Sequence, residues 1–135
     1  MSDGQNAVSV QINDHARFIT FALWGVVYGD DLLAVTELAF RDLAEPWLYN
    51  RLYDLRRFIN VLQPADFVAL HEQWPKLAGR VVPMRWAILT DDPVRLARAR
   101  AYAPLFPDVM VRTFDNLAEA ISWLTGELTA DEAAA

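Results

Sequence analysis

Carboxylates offer this chain its first route to chemistry, because acids at the ends of strands are where sites in α/β sheets collect. Asp54 falls near the end of a predicted strand, Asp91 and Asp92 follow another, and Asp30 and Asp31 precede a predicted helix. With a neighbouring arginine, Asp54 could support an enzyme if a cleft perturbed its pKa. Capping accounts for the other four, since a carboxylate before a helix accepts bonds from the N–H groups of the first turn. Other reactive groups are sparse. The chain has two histidines and no cysteine, so thiolate metal sites, disulfides and cysteine nucleophiles are excluded. His15 falls in a predicted turn and His71 on a helix. His71-Glu72 lacks the second histidine, four residues on, that would put two zinc ligands on one helix face. Ser2, Ser9 and Ser122 do not sit in a glycine-flanked elbow after a strand. The five glycines form neither GxGxxG nor a Walker sequence, so no phosphate cradle is expected. No cofactor and no metal are expected.

The placement of Asp54 resembles that of the acid in a phosphoacceptor receiver domain, with Thr90 as the switch hydroxyl. A receiver needs a lysine at the end of its last strand, and Thr113-Phe114-Asp115 stands there instead.

The elements that must position these groups follow from periodicity. Val8 to Ile12 alternates apolar and polar residues, as a strand with one wet face does. Asn13-Asp14 supplies turn chemistry, and Arg17 to Gly25 reads as a central strand hairpinned to the first. Asp30 to Ala44 is predicted helical, with Leu33, Leu38, Phe40 and Leu43 near a three-to-four spacing and Asp30 or Asp31 as cap. Arg51 to Arg57 is predicted to be a short strand that runs out at its arginines. Pro64 opens a helix bearing Phe67, Leu70, Trp74 and Leu77 on one face; Pro75 is expected to kink or break it, and Gly79 to end it. Met84 to Thr90 is a buried strand, and Asp91-Asp92-Pro93 starts a helix. Val109 to Phe114 is the last strand, and Asn116 with Glu119 opens the last helix. The order β-β-α-β-α-β-α-β-α predicts an α/β fold with a mostly parallel five-stranded sheet, its first strand an antiparallel edge.

Length and charge narrow the partners. A chain of 135 residues suits one domain, expected over 8–128, with 1–7 a flexible N-terminus and 129–135 a disordered tail. The start, MSDGQNAVSV, lacks a signal pattern, and no run reaches the roughly eighteen apolar residues of a membrane span, so a cytoplasmic location without a membrane span is expected. The net charge of −6 argues against nucleic acid as a partner. Seven basic residues between Lys76 and Arg112 face three acidic ones, which suits a solvated helix face bearing Arg95, Arg98 and Arg100. Trp86 and Trp123 read as core, whereas Trp24, Tyr28, Trp47 and Tyr49 cluster where a strand meets a loop and could line an apolar cleft.

FITFALWGVVYGDDL, RLYDLRRF, MRWAILTDDP and VRTFDNLAEAISWL, taken in this order, resemble the SpoIIAA-like branch of the STAS (sulfate transporter and anti-sigma factor antagonist) superfamily. The resemblance runs from about Val8 to Leu128, and the ending with Phe114, Glu119, Ala120, Trp123 and Leu124 is its most specific piece. It implies successive right-handed βα units, shared more remotely with Sec14-type lipid-transfer domains, with crossover helices mainly on one sheet face. Ile19, Phe21 and Leu23 alternate with Phe18, Ala22 and Trp24, so both faces of the second strand look apolar and something other than water should cover each. The anti-sigma antagonists are switched by phosphorylation of a serine after the third strand. No serine or threonine lies between Asp54 and Pro64 here, so that switch is not expected to operate; Asp54, matching the family's strand-end acid, would hold the loop. The expected function is therefore a non-enzymatic interaction or regulatory module that forms a homodimer or docks on a protein partner. The alternative is a binder of a small apolar or lipid-like anion, with Trp24 and Tyr28 lining the cleft and Arg56 or Arg57 meeting the head group. Either way the candidate residues are Trp24, Tyr28, Asp54, Arg56, Arg57 and Asn60.

Overall fold

The computed structural model describes residues 7–79, 83–105 and 108–126. The segments 1–6 and 127–135, which include the expected tail, and Arg80 of the basic block lie outside the described residues. The elements run β1 (Ala7–Asn13), β2 (Phe18–Gly25), α1 (Gly29–Arg41), β3 (Asn50–Phe58), α2 (Pro64–Ala78), β4 (Met84–Leu89), α3 (Pro93–Tyr102), β5 (Val109–Phe114) and α4 (Leu117–Leu124). The strands lie in the order β1-β2-β3-β4-β5, with β1 antiparallel to β2 and the other pairs parallel. The expected architecture is the observed one. Two short 3-10 turns, Pro46–Leu48 and Ala103–Leu105, were not anticipated.

Local chemistry fixes the boundaries. Between β1 and β2 the Asn13 side chain accepts from the Ala16 N–H and its carbonyl from the Arg17 N–H, both at 2.8 Å, and Arg17 takes a left-handed φ of 61°. Asp92 caps α3 by accepting from the N–H groups of Val94 and Arg95, with Pro93 as the first helical residue. Asn116 caps α4 through the Glu119 N–H at 3.0 Å.

Three expectations need correction. First, α1 starts at Gly29, and its buried row is Leu32, Thr36 and Phe40, whereas Leu38 is exposed. The polar look of Thr36 disguised this face; its hydroxyl donates to the Leu32 carbonyl at 2.7 Å and needs no water. Gly29 itself is dictated by Asp66 of α2, whose carboxylate occupies the space a Cβ would need. Second, Pro75 does not break α2. It lies in the last turn, where the missing N–H removes one hydrogen bond, and Gly79, at φ 75°, closes the helix on the Pro75 carbonyl. Third, β3 does not run out at its arginines. Trp24 and Gly25 of β2 pair with Arg57 and Phe58, which carries the strand to Phe58 and leaves Asp54 in its middle.

The two faces of the sheet are covered unequally. On the first, Ile19, Phe21 and Leu23 of β2, Tyr53 and Leu55 of β3, and Trp86 and Ile88 of β4 pack beneath α1, α2 and α3. On the second, Phe18, Leu52, Ala87, Leu89 and Phe114 meet Ala120, Trp123 and Leu124 of α4 alone.

Arg51 lies within the first core with no exposed surface. Its guanidinium carbon stands 4.8 Å from the Phe40 ring centre, 5.1 Å from Trp74 and 4.8 Å from Trp86. One Nη donates to the Tyr53 hydroxyl at 2.9 Å, while Nε and the other Nη have no partner. Ring faces replace a carboxylate around this charge. Truncation would open a large cavity, whereas an apolar residue of similar length would fill the site and remove the unpaired N–H groups. Arg51→Ala is therefore expected to cost about 3 kcal/mol in urea unfolding. Arg51→Met should stay within about 1 kcal/mol of the native chain in the same measurement.

Candidate functional site

Strand alternation places Asp54 and Arg56 on the same face of β3 as Leu52, beyond the reach of α4. Ala22 of β2 is the register partner of Asp54 on one side and of Ser9 on the other. Trp24 pairs with Arg57 just after a register shift in β2. A groove of about 520 Å³ results, lined by Ser9, Ala22, Leu23, Trp24, Asp54, Arg56 and Arg57. It continues along β1 and β2 toward the hairpin as an open trough of about 910 Å³ that reaches Gln11, Asp14, His15 and Thr20, with Leu117 and Ile121 of α4 as its far wall.

This trough narrows the expectation that something other than water covers the whole of both faces of β2. Phe18 is buried under α4, and the residues beyond it on the same side are Thr20, Ala22 and Trp24, all half-buried. On β1 they face Gln11, Ser9 and Ala7. Water tolerates such a surface, so no apolar cover is required. Ser9, Gln11 and Thr20 were not among the anticipated site residues. The alternation that marks β1 as having a wet face was the signal for two of them.

At the centre of the surface Asp54 and Arg56 form a two-pronged pair. One Asp54 oxygen accepts from the Arg56 backbone N–H at 3.1 Å and from Nε at 3.0 Å; the other accepts from Nη2 at 2.9 Å. Partial burial is the largest single influence on the Asp54 carboxyl and pushes its pKa up. The side-chain and backbone hydrogen bonds of Arg56, with the charges of Arg56 and Arg57, outweigh it together and hold the group below the ordinary carboxylate value. Arg56 is raised in return, chiefly by its bond to Asp54, with smaller support from the Asp54 and Asp91 charges. Such a carboxylate is a weak proton acceptor, suited to orienting an arginine.

Tyr28 and Asn60 belong to a separate recess, lined also by Gly29, Asp30, Val61, Gln63 and Asp66. Tyr28 is exposed there. Asn60 is engaged: its Oδ1 accepts from the Val27 N–H and its Nδ2 donates to the Val27 carbonyl, both at 2.9 Å. Arg95 grips the same loop, donating to the Ile59 and Asn60 carbonyls at 2.9 Å and to Asp92 at 2.8 Å. Arg95 is thus a half-buried clamp, not part of a solvated helix face as expected; Arg98 and Arg100 are exposed. The six candidates therefore divide into four around one groove and two around another. Trp47 packs on the main core, and Tyr49 is buried with its hydroxyl donated to Asp14, so neither joins Trp24 in an apolar cleft. Thr90 is buried, and its hydroxyl accepts from the Asp92 N–H at 3.1 Å. The apolar recess between Phe58, Leu62, Phe67 and Ala99 has a volume of about 20 Å³, room for a single water.

Neither a family model nor a curated protein matches the chain. Among solved structures it is similar to an uncharacterized protein of the DUF3478 family with a SpoIIAA-like fold from Shewanella loihica PV-4. The TM-score is 0.64 at 19% identity, and the match covers 92% of this chain and 98% of that one. The fold is SpoIIAA-like, as the sequence resemblance implied. Among the described residues no helix is long and apolar enough to cross a membrane.

The lowered pKa of Asp54 fixes the sign of a pH effect. A group held below its unfolded value contributes stability above that value and loses it as pH falls through the folded pKa. The stability gap between the native chain and Asp54→Asn should hence be constant at neutral pH and close below the ordinary value of 3.8. Chemical unfolding at a series of pH values measures it; a gap unchanged in acid would show that the pair contributes nothing.

Proposed function

We propose that this chain is a non-enzymatic interaction module of SpoIIAA-like fold, engaging a protein partner through the groove at the carboxyl ends of β2 and β3. The observation that carries the reading is the gathering of Trp24, Arg56 and Arg57 around an aspartate held by Arg56. Trp and Arg are the residue types that dominate binding energy at interfaces, and here they border an open surface rather than a closed pocket. Asp54 restricts the Arg56 fork to one orientation, which lowers the ordering cost of contact. Regulation by a serine after the third strand has no acceptor here, because no serine or threonine lies between Asp54 and Pro64. An apolar or lipid-like ligand finds less support: the enclosed apolar recess has room for about one water, and the larger trough is open and mixes apolar side chains with polar and charged ones.

Affinity capture from the native cell extract tests the reading with three baits: the native chain, Trp24→Ala/Arg57→Glu, and Arg98→Glu on the remote α3. Each hot-spot truncation costs more than about 1 kcal/mol, so the double variant should bind its partner at least tenfold more weakly, roughly. Arg98→Glu should bind as the native chain does. Equal capture by the groove variant and the native chain would refute the assignment.

A further inference from the structure

The two edges of the sheet are guarded differently. β5 carries Arg112 among its residues, and Arg100 of α3 donates to the Thr113 hydroxyl at 3.3 Å. Charges of this kind discourage strand addition. β1 has no such device. From Ala7 to Asn13 it contains no charged residue and no proline, and it pairs with β2 residue for residue without a bulge. Among the described residues no strand lies on its outer side. In an antiparallel ladder alternate residues turn their N–H and C=O groups away from the partner strand, so β1 presents a row of them that no strand pairs with among the described residues.

An apolar strip borders this row. Val8 and Val10 are half-buried against the main core, and Ile12 is 43% exposed. On α1, Val35 is half-buried against the main core, and Leu38 is 60% exposed, behind Ile59 and Tyr28 among the large apolar side chains of the described residues. At about 100° per residue Val35 lies on one flank of the buried row, whereas Leu38 points nearly opposite the row, into solvent. Leu33 lies on the other flank, where Gln73 of α2 donates to its carbonyl at 2.9 Å. The Val35 flank therefore faces the β1 side of the molecule.

We propose that β1 pairs antiparallel with β1 of a second copy of this chain, about a two-fold axis near Val10, joining two five-stranded sheets into one. The occupant follows from complementarity. A two-fold axis makes antiparallel strands self-matching. Val10 then meets Val10 of the other copy, and Ser9 meets Gln11, so that no like charges oppose each other. A perpendicular two-fold also keeps α1 of both copies on the same face of the joined sheet, where Ile12 of each copy comes to lie against Val8 of the other copy and leaves water. The proposal does not rest on the carboxyl-end groove having a partner.

Sedimentation velocity on the full chain tests it, with hydrogen exchange on the β1 amides. The expected species has twice the 15.3 kDa chain mass. It should be favoured by added salt, because each copy carries a net charge of −6. Ser9→Lys/Gln11→Lys sets lysine against lysine across the axis and should give a monomer whose circular dichroism matches the native chain. Ile12→Ser, at an exposed site of β1, should weaken the dimer without changing the fold. A native chain that stays monomeric at millimolar concentration in high salt overturns the proposal. So does a dimer that neither variant weakens, or one whose β1 amides exchange as fast as those of the monomeric variant.

Discussion

A sheet whose strands follow one another in chain order imposes a single constraint from which much of this molecule follows. Each parallel connection between neighbours takes the same hand, so α1, α2 and α3 all come to the same face. That leaves one helix, the last, for the other face. α4 covers Leu52, Ala87, Leu89 and Phe114 but does not reach beyond Phe18 toward β1. Apart from Trp24, the residues left outside are small or polar: Ser9, Gln11, Thr20, Ala22 and the Asp54–Arg56 pair. The candidate site is the part of the sheet that the chain's own topology cannot cover.

The crowded face solves a different problem. Four elements meet around Arg51: α1 through Phe40, α2 through Trp74, β4 through Trp86, and β3 itself through Tyr53. Phe40 and Trp74 meet edge to face, as do Tyr53 and Trp86, while Phe21 stacks on Tyr53. A guanidinium is planar and weakly hydrated, which lets ring faces surround it where an ammonium would not fit. On the opposite face Arg85 stands beside Trp123 and donates to its carbonyl. The aromatic surplus of the chain is thus largely consumed inside, with Trp24 the tryptophan that borders the open groove.

The fold was legible because its punctuation is local. Asp92-Pro93, Asn116 with Glu119, and Gly79 each act within one turn, and each is where the pattern places it. The buried face of α1 was not legible, since a threonine bonded to its own helix looks polar in the chain and behaves as core in the fold. Arg51 was hidden for a similar reason: only the convergence of three rings from distant segments makes it a core residue. The site was half legible. Trp24, Asp54, Arg56 and Arg57 come together because β2 and β3 are neighbours in register. Asn60 looked available for a ligand because its partner, Val27, lies 33 residues away along the chain.

The bonds of Asn60 and Arg95 have a mechanical consequence. Asn60 ties the loop after β3 to the loop after β2, and Arg95 ties it to the start of α3 beside Asp92. Three successive connections at one end of the sheet form a single stiff hoop. A push on any one of them is felt by the other two, so a visitor at this rim meets a surface whose shape is set before it arrives.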